Sequence, residues 1–155
     1  MNITIKDMTL EDISNLEFSY AQDFDSFWSI DTLKKDFQNT YSHYLVAKQN
    51  NEIVGFAGFI QILEQADIMN IVVKTNKRRL GIGSLLLEKL VQKAQNLNCK
   101  LLTLEVNEHN LPAIHLYEKY EFERIGFRKK YYNNKDNAII MSLSLNENVT
   151  KEENE

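Results

Sequence analysis

Asn70-Ile71-Val72-Val73-Lys74-Thr75-Asn76-Lys77-Arg78-Arg79-Leu80-Gly81-Ile82-Gly83-Ser84-Leu85-Leu86-Leu87-Glu88-Lys89-Leu90 decides how this chain folds. Ile71-Val72-Val73 is a short apolar run and reads as a buried strand. A basic turn follows, then two glycines one residue apart, then leucines at helical spacing. Strand, basic glycine turn and helix, in that order, can build an anion site from backbone. Glycine lets the main chain approach a ligand closely, and the N–H groups of the first helical turn point at it with the helix dipole behind them. A P-loop in its usual form is excluded, because no Gly-Lys-Ser/Thr closes the turn. A dinucleotide fingerprint fits poorly, since Ser84-Leu85-Leu86 stands where a third glycine is needed. Two readings remain open here: a site for another kind of phosphorylated ligand, or a basic loop with turn glycines ahead of an ordinary surface helix.

Toward the N-terminus, Ala66–Val73 is the strand feeding this turn, and Ile53–Ile60 is another. Gly55 and Gly58 inside the latter are costly unless a bulge or a close backbone contact uses them. His43–Ala47 pairs with it as a hairpin across the Asn50-Asn51 turn. Ser29 caps a helix carrying Ile30, Leu33 and Phe37 on one face. Phe24, Phe27 and Trp28 fall in an acid-dotted loop and suit a satellite core more than a ligand wall. Thr9-Leu10-Glu11-Asp12 is a capping box, so a helix starts at Leu10 and carries Ile13, Leu16 and Tyr20. Ile3 and Ile5 alternate with polar residues as a short first strand.

Toward the C-terminus the helix spans Gly81 to Asn96, with Leu85, Leu86, Leu90 and Ala94 facing the sheet. Leu101–Val106 is mostly continuous apolar, which suits a parallel strand covered on both faces. Asn110 caps the helix Leu111–Lys119, with Pro112 in its first turn. Strands at Phe122–Phe127 and Ala138–Leu145 follow, separated by an aromatic, basic loop from Arg128 to Asn134. The sum is an α/β (α+β) chain with a single mixed central sheet: antiparallel N-terminal strands, a splayed parallel pair in the middle, an antiparallel end and flanking helices.

The 155 residues are enough for one core without disulfides or metals as staples. The domain is expected over 1–145, with a disordered acidic tail over 146–155. With 22 acidic against 18 basic residues the net charge is −4, which argues against direct binding of nucleic acid by bulk electrostatics. The single cysteine, Cys99, supports neither a disulfide nor a zinc site and suits a core thiol. No signal peptide or membrane span is legible, so no membrane association and a location in the cytoplasm are expected.

Splayed parallel strands open a slot at their C-terminal ends, so ionisable residues there carry weight. Glu105 interrupts an apolar strand near such an end. Burial raises a carboxyl pKa toward the range useful to a general base, while the plain alternative is a rim residue salt-bridged to a neighbour such as Arg128. Tyr117 shares a helical face with Asn110 and Ala113 and is either functional or a packed ring. His43, His109 and His115 are scattered, and no metal role is needed.

Arg78-Arg79-Leu80-Gly81-Ile82-Gly83 resembles the Gln/Arg-x-x-Gly-x-Gly/Ala signature of the GNAT N-acetyltransferase superfamily. Leu104-Glu105-Val106, Asn110-x-x-Ala113-x-x-Leu116-Tyr117, Arg128-x-x-Tyr131-Tyr132, Phe27-Trp28-Ser29 and Asn70-Ile71-Val72-Val73 resemble segments of its bacterial peptide-alanine N-acetyltransferases. Those enzymes modify the N-terminal alanine of ribosomal protein S18, and the likeness runs from about Ile3 to Leu143. The resemblance implies acetyl-CoA as co-substrate and a protein N-terminus, on ribosomal protein S18, as partner of a monomer or weak dimer. It assigns Arg78, Arg79, Leu80, Gly81, Ile82, Gly83 and Ser84 to the pyrophosphate turn. Ile71, Val72 and Val73 go to the strand beside the pantetheine arm, and Asn110, Ala113 and Tyr117 to further cofactor contacts. Glu105 becomes general base and Tyr117 general acid, with Trp28, Asn70, Glu105 and Tyr131 near the acceptor.

The chemistry agrees with that assignment: an α-amine has a reference pKa near 7.7–8.0 and must lose a proton to attack a thioester, and a thiolate must gain one to leave. One departure matters. Glu121 stands where the family has a glycine that permits an unusual turn, which bears on the placing of Tyr117. A small-molecule amine or lysine acetyltransferase of the same superfamily and a non-catalytic acyl-CoA-binding module are the alternative functions.

Overall fold

The computed structural model describes residues 2–24, 29–132 and 135–145. Phe27, Trp28 and the expected tail lie outside them. In chain order the elements are β1 (Thr4–Asp7), α1 (Leu10–Glu17), α2 (Tyr20–Asp23), α3 (Ile30–Phe37), β2 (Ser42–Gln49), β3 (Glu52–Ile62), β4 (Gln65–Val73), a 3-10 turn (Thr75–Lys77), α4 (Ile82–Asn96), β5 (Leu101–Asn107), α5 (Leu111–Lys119), β6 (Glu123–Tyr132) and β7 (Asp136–Ser144). The strands form a seven-stranded sheet in the order β1-β2-β3-β4-β5-β7-β6. β4 and β5 run parallel, whereas β1–β2, β2–β3, β5–β7 and β7–β6 are antiparallel, as the sequence predicts. The β4–β5 register covers only Gln65↔Leu101 to Asp67↔Thr103. Among the described residues no helix is long and apolar enough to cross a membrane.

Two compact units divide the chain, Met1–Gln61 with Met69–Lys93 and Ile62–Ile68 with Ala94–Glu155. In the first, Thr9 and Asp12 close the predicted capping box around the start of α1. The helix stops at Glu17, and Tyr20 opens the separate α2, because Ser19 leaves the helical region (φ −135°, ψ 6°). Tyr20 still reaches the core with Ile13, Leu16, Leu33, Phe56 and Phe24. Phe24 stacks on Tyr20 with ring centroids 5.8 Å apart, so this aromatic is core and not a ligand wall. Asn50 and Asn51 take φ of 53° and 66°, the left-handed pair that a two-residue hairpin needs. Both strand glycines are used as anticipated. A Cβ on Gly58 would overlap the Tyr44 ring, whose hydroxyl donates to Asp36. One on Gly55, opposite the β2 bulge at Ala47/Lys48, would lie 2.9 Å from the Val72 carbonyl oxygen. Of the α4 residues in this unit, Ile82, Leu86, Leu87 and Leu90 are buried, and Leu85 lies at the margin of that stripe.

In the second unit β5 departs from the expectation of two covered faces. Leu102, Leu104 and Val106 are buried while Leu101, Thr103, Glu105 and Asn107 are half-exposed, so only one face is fully covered. The segment 128–132 is not a loop, because β6 keeps pairing with β7 as far as Tyr132↔Asp136, with register shifts after Arg124 and Arg128. Cys99 is buried, as a core thiol should be, and burial pushes its pKa up.

Helices α4 and α5 end alike. Asn98 (φ 64°) follows α4, with Cys99 N donating to Ala94 O at 3.0 Å. Glu121 (φ 72°) follows α5, with Phe122 N donating to Tyr117 O at 3.0 Å and Glu121 N to Glu118 O at 2.9 Å. This is the Schellman arrangement, completed by the Phe122 ring 5.8 Å from that of Tyr117. The turn that usually needs glycine is therefore made by a glutamate held in the left-handed region.

Two outcomes follow for stability. Glu121→Gly should raise it by about 0.5–1 kcal/mol in urea titration, the left-handed penalty (~1–2 kcal/mol) being partly offset by glycine's unfolded-state entropy. Asp12 is almost fully buried, accepts from Thr9 N at 2.9 Å and pairs with Lys48 Nζ at 2.8 Å. Burial opposes its ionisation, but Lys48 and Thr9 outweigh that and hold its pKa below the ordinary aspartate value. Its contribution is thus complete above that value and lost as pH falls through the folded pKa. Asp12→Asn should cost about 1 kcal/mol at neutral pH, a difference that shrinks toward zero in titrations repeated at successively lower pH below the unfolded value.

Candidate active site

The first group of predicted residues lies in the first unit, where β4 hands over to α4. Lys74 N donates to Val54 O at 2.8 Å. The Lys74 ammonium pairs with Glu52 and lies 3.7 Å from Asp23, and Thr75 Oγ1 donates to Asp23 O at 2.9 Å. Arg78 Nε donates back to Val73 O at 3.3 Å. These contacts pin the 3-10 turn and fix where the basic residues begin. Arg79 (φ 65°) and Gly81 (φ 84°) then both enter the left-handed region. Leu85 N donates to Gly81 O at 3.1 Å, the first bond of the helix, so the amides of Ile82, Gly83 and Ser84 precede any intrahelical acceptor.

A Cβ on Gly81 would meet no heavy atom within 4 Å, so it is the φ of 84° and not crowding that calls for glycine here. Arg78, Arg79, Leu80 and Gly81 are exposed while Ile82 is anchored in the core. Orphan amides, an open glycine and two guanidinium groups are the donor set a diphosphate ester requires, and these residues fit the phosphate end of acetyl-CoA. Ile71, Val72 and Val73 end β4, with Val72 buried and its neighbours half-buried. Asn70 is an anomaly, because its Nδ2 and Oδ1 are both buried without a hydrogen-bond partner among the described residues. Such an orphaned amide points to a polar group absent here.

The second group lies in the second unit. Glu105 is not the buried acid that its apolar neighbours suggested. Its side chain is 29% exposed on the open face of β5, and Arg128 grips it through Nε–Oε1 at 3.2 Å and Nη2–Oε2 at 2.7 Å. Alternation along the strand explains the exposure, and β6 supplies the arginine. The salt-bridge alternative is thus the geometry seen, and Arg128 is the neighbour missing from the predicted site residues. Strand pairing across β7, which no local spacing encodes, brings it in.

Asn110 Oδ1 accepts from Ala113 N at 3.3 Å, so Asn110 caps α5 as expected. Tyr117 is half-buried in the second turn of α5, its ring set against Phe122. Tyr131 belongs to β6, and its side chain and Trp28 lie outside what is described. At the loop after β5, His109 Nε2 sits 3.6 Å from Glu108 and 3.7 Å from Asp136. Ligand atoms of these three approach within 4.8 Å of one another, yet Glu108 is already engaged by Asn137 N at 3.0 Å and His109 is 72% exposed. The cluster reads as a surface ion-pair group.

The Acetyltransferase (GNAT) family model matches residues 9–122. The [ribosomal protein bS18]-alanine N-acetyltransferase of Haemophilus influenzae is 37% identical over 124 residues, covering 76% of this chain and 82% of that protein. The crystal structure of the ribosomal-protein-S18-alanine N-acetyltransferase from Escherichia coli superposes with a TM-score of 0.83 at 30% identity, covering 92% and 94% of the two chains. A GNAT family acetyltransferase from Elizabethkingia anophelis, solved with acetyl-CoA bound, gives a TM-score of 0.74 at 25% identity over 93% and 99%. The chain belongs to the GNAT acetyltransferase family and is an acetyl-CoA-dependent N-acetyltransferase.

Proposed function

We propose that this enzyme transfers the acetyl group of acetyl-CoA to the α-amine of a protein N-terminus, and that the acceptor is the N-terminal alanine of ribosomal protein bS18. The observation that carries the reading is the left-handed Arg79–Gly81 turn that frees the first amides of α4, in a chain alike over nine-tenths of its length to an enzyme of that specificity. In this reading the amides of Ile82, Gly83 and Ser84 hold the diphosphate, flanked by Arg78, Arg79 and Leu80. The backbone of Ile71–Val73 pairs with the pantetheine arm, and a strand-end amide at Val72 or Val73 faces the oxyanion. Asn110 and Ala113 are assigned to further cofactor contacts, and Asn70, Trp28 and Tyr131 are assigned to the acceptor.

The reaction is direct. The amine nitrogen forms its C–N bond to the thioester carbonyl, the C–S bond breaks, and no covalent enzyme intermediate is involved. Glu105 takes the proton that the amine sheds, directly or through water. Tyr117 gives one to the departing thiolate.

The test is a panel of short peptides beginning with alanine, serine or methionine, one blocked at its N-terminus and one offering only a lysine ε-amine, alongside a polyamine. Mass spectrometry should show acetate on the free α-amine of the alanine peptide; acetate only on lysine or only on the polyamine overturns the acceptor while leaving the fold intact. With the alanine peptide, Glu105→Gln should lower kcat/KM about a hundredfold near neutral pH and less above pH 8, where more of the amine is already neutral. Tyr117→Phe should retain acetyl-CoA binding and lower kcat. A pH–rate profile unchanged in the first variant, or a wild-type rate in the second, removes that residue from the mechanism.

A further inference from the structure

We infer that Arg128 is a positioning residue that sets the direction in which Glu105 presents its carboxylate; this rests on Glu105 being the base. The register shows how the contact arises. Glu105 pairs with Ile140, which pairs with Gly126; Asn107 pairs with Ala138, which pairs with Arg128. Glu105 and Arg128 therefore share one face of the sheet on strands separated by β7, roughly 9–10 Å apart. On that face β7 places Ala138 level with Arg128 and Ile140 level with Glu105, and the guanidinium spans the diagonal between them.

A planar guanidinium donating through Nε and Nη2 to both oxygens fixes the carboxylate plane as a single ammonium cannot. It also leaves Glu105 chemically free. Each carboxylate oxygen has two lone pairs, and the fork uses one of each, so an acceptor remains on both oxygens for a proton arriving from the amine. A contribution to stability is a poor explanation for the contact, because the arginine side chain is 56% exposed and partly exposed ion pairs add little. Orientation is what the geometry offers, and a displaced base is costly: a misplacement of about 1 Å slows a reaction by up to roughly a hundredfold.

The experiment is a double-mutant cycle on the full chain with acetyl-CoA and an alanine-initiated peptide, using Arg128→Ala, Arg128→Lys, Glu105→Gln and Glu105→Gln with Arg128→Ala. Arg128→Ala should lower kcat by roughly tenfold to a hundredfold, leave the KM for acetyl-CoA within about twofold and shift Tm by no more than about 3 °C. Arg128→Lys should recover only part of the rate, and with Glu105→Gln in place the alanine should change kcat by less than about twofold. Equal losses in both backgrounds, a wild-type kcat in Arg128→Ala, or a loss confined to the peptide KM would each overturn the inference. Should Glu105→Gln run at the wild-type rate, the reading of Glu105 as base fails and the inference with it. Should Glu105→Gln be slow while Arg128→Ala is not, only the positioning role fails.

Discussion

Backbone amides can serve as a preformed anion site only if the chain is forced to start its helix in the right direction. Here that force is conformational: Arg79 and Gly81, two positions apart, both occupy the left-handed region immediately before α4. Each neighbouring contact supports this turn. Upstream, Lys74 is tied by its amide to Val54 and by its ammonium to Glu52 and Asp23. Beneath it, the missing side chain of Gly55 leaves room for the Val72 carbonyl, Leu86 and Ile82. A methyl group there would push on the strand end and the first helical turn together. The glycine in β3 and the glycine before α4 thus serve one feature by different means, one through space and one through φ.

The second unit solves a different problem with side chains. Alternation along β5 exposes Glu105, pairing through β7 brings Arg128 to it, and the Schellman end of α5 sets the Tyr117 ring against Phe122. Nothing here depends on a glycine-rich turn. It depends on strands holding their register across several residues: Glu105 is held by a neighbour two strands away, and Tyr117 is set by the turn that ends its own helix.

This contrast explains what could be read in the sequence. Capping at Thr9, Ser29 and Asn110, the Asn50-Asn51 turn and the run from β4 into α4 are local, each encoded in one short contiguous stretch, and all occur as read. The roles of Gly55 and Gly58 were legible as a need for close contact, though the contacting atoms were not. Non-local features escaped. The apolar look of Leu101–Val106 concealed a strand with one open face, and the basic, aromatic stretch after Phe127 looked like a loop because its pairing partner lies in β7. The exposure of Glu105 follows from those same two facts, so one missed register accounts for both errors.

Strain gives a further way to weigh the two halves. The non-glycine residues at positive φ are Asn50, Asn51, Leu63, Arg79, Asn98 and Glu121 among the described residues. Asparagine tolerates this region, so three of the six are inexpensive. Leu63 belongs to the exposed turn between β3 and β4, where the hairpin dictates the backbone. Arg79 and Glu121 are different, since each costs about 1–2 kcal/mol relative to an ordinary conformation and each adjoins an element of the proposed site, the start of α4 or the end of α5. Asn98 closes the same motif after α4 that Glu121 closes after α5, which shows that a cheaper residue satisfies the geometry. The persistence of glutamate beside Tyr117 therefore means that the surrounding contacts, Phe122 foremost, determine that turn strongly enough to hold an unfavourable residue in it. A tyrosine fixed by an over-determined turn has the rigid support that its proposed role as proton donor to the leaving group requires.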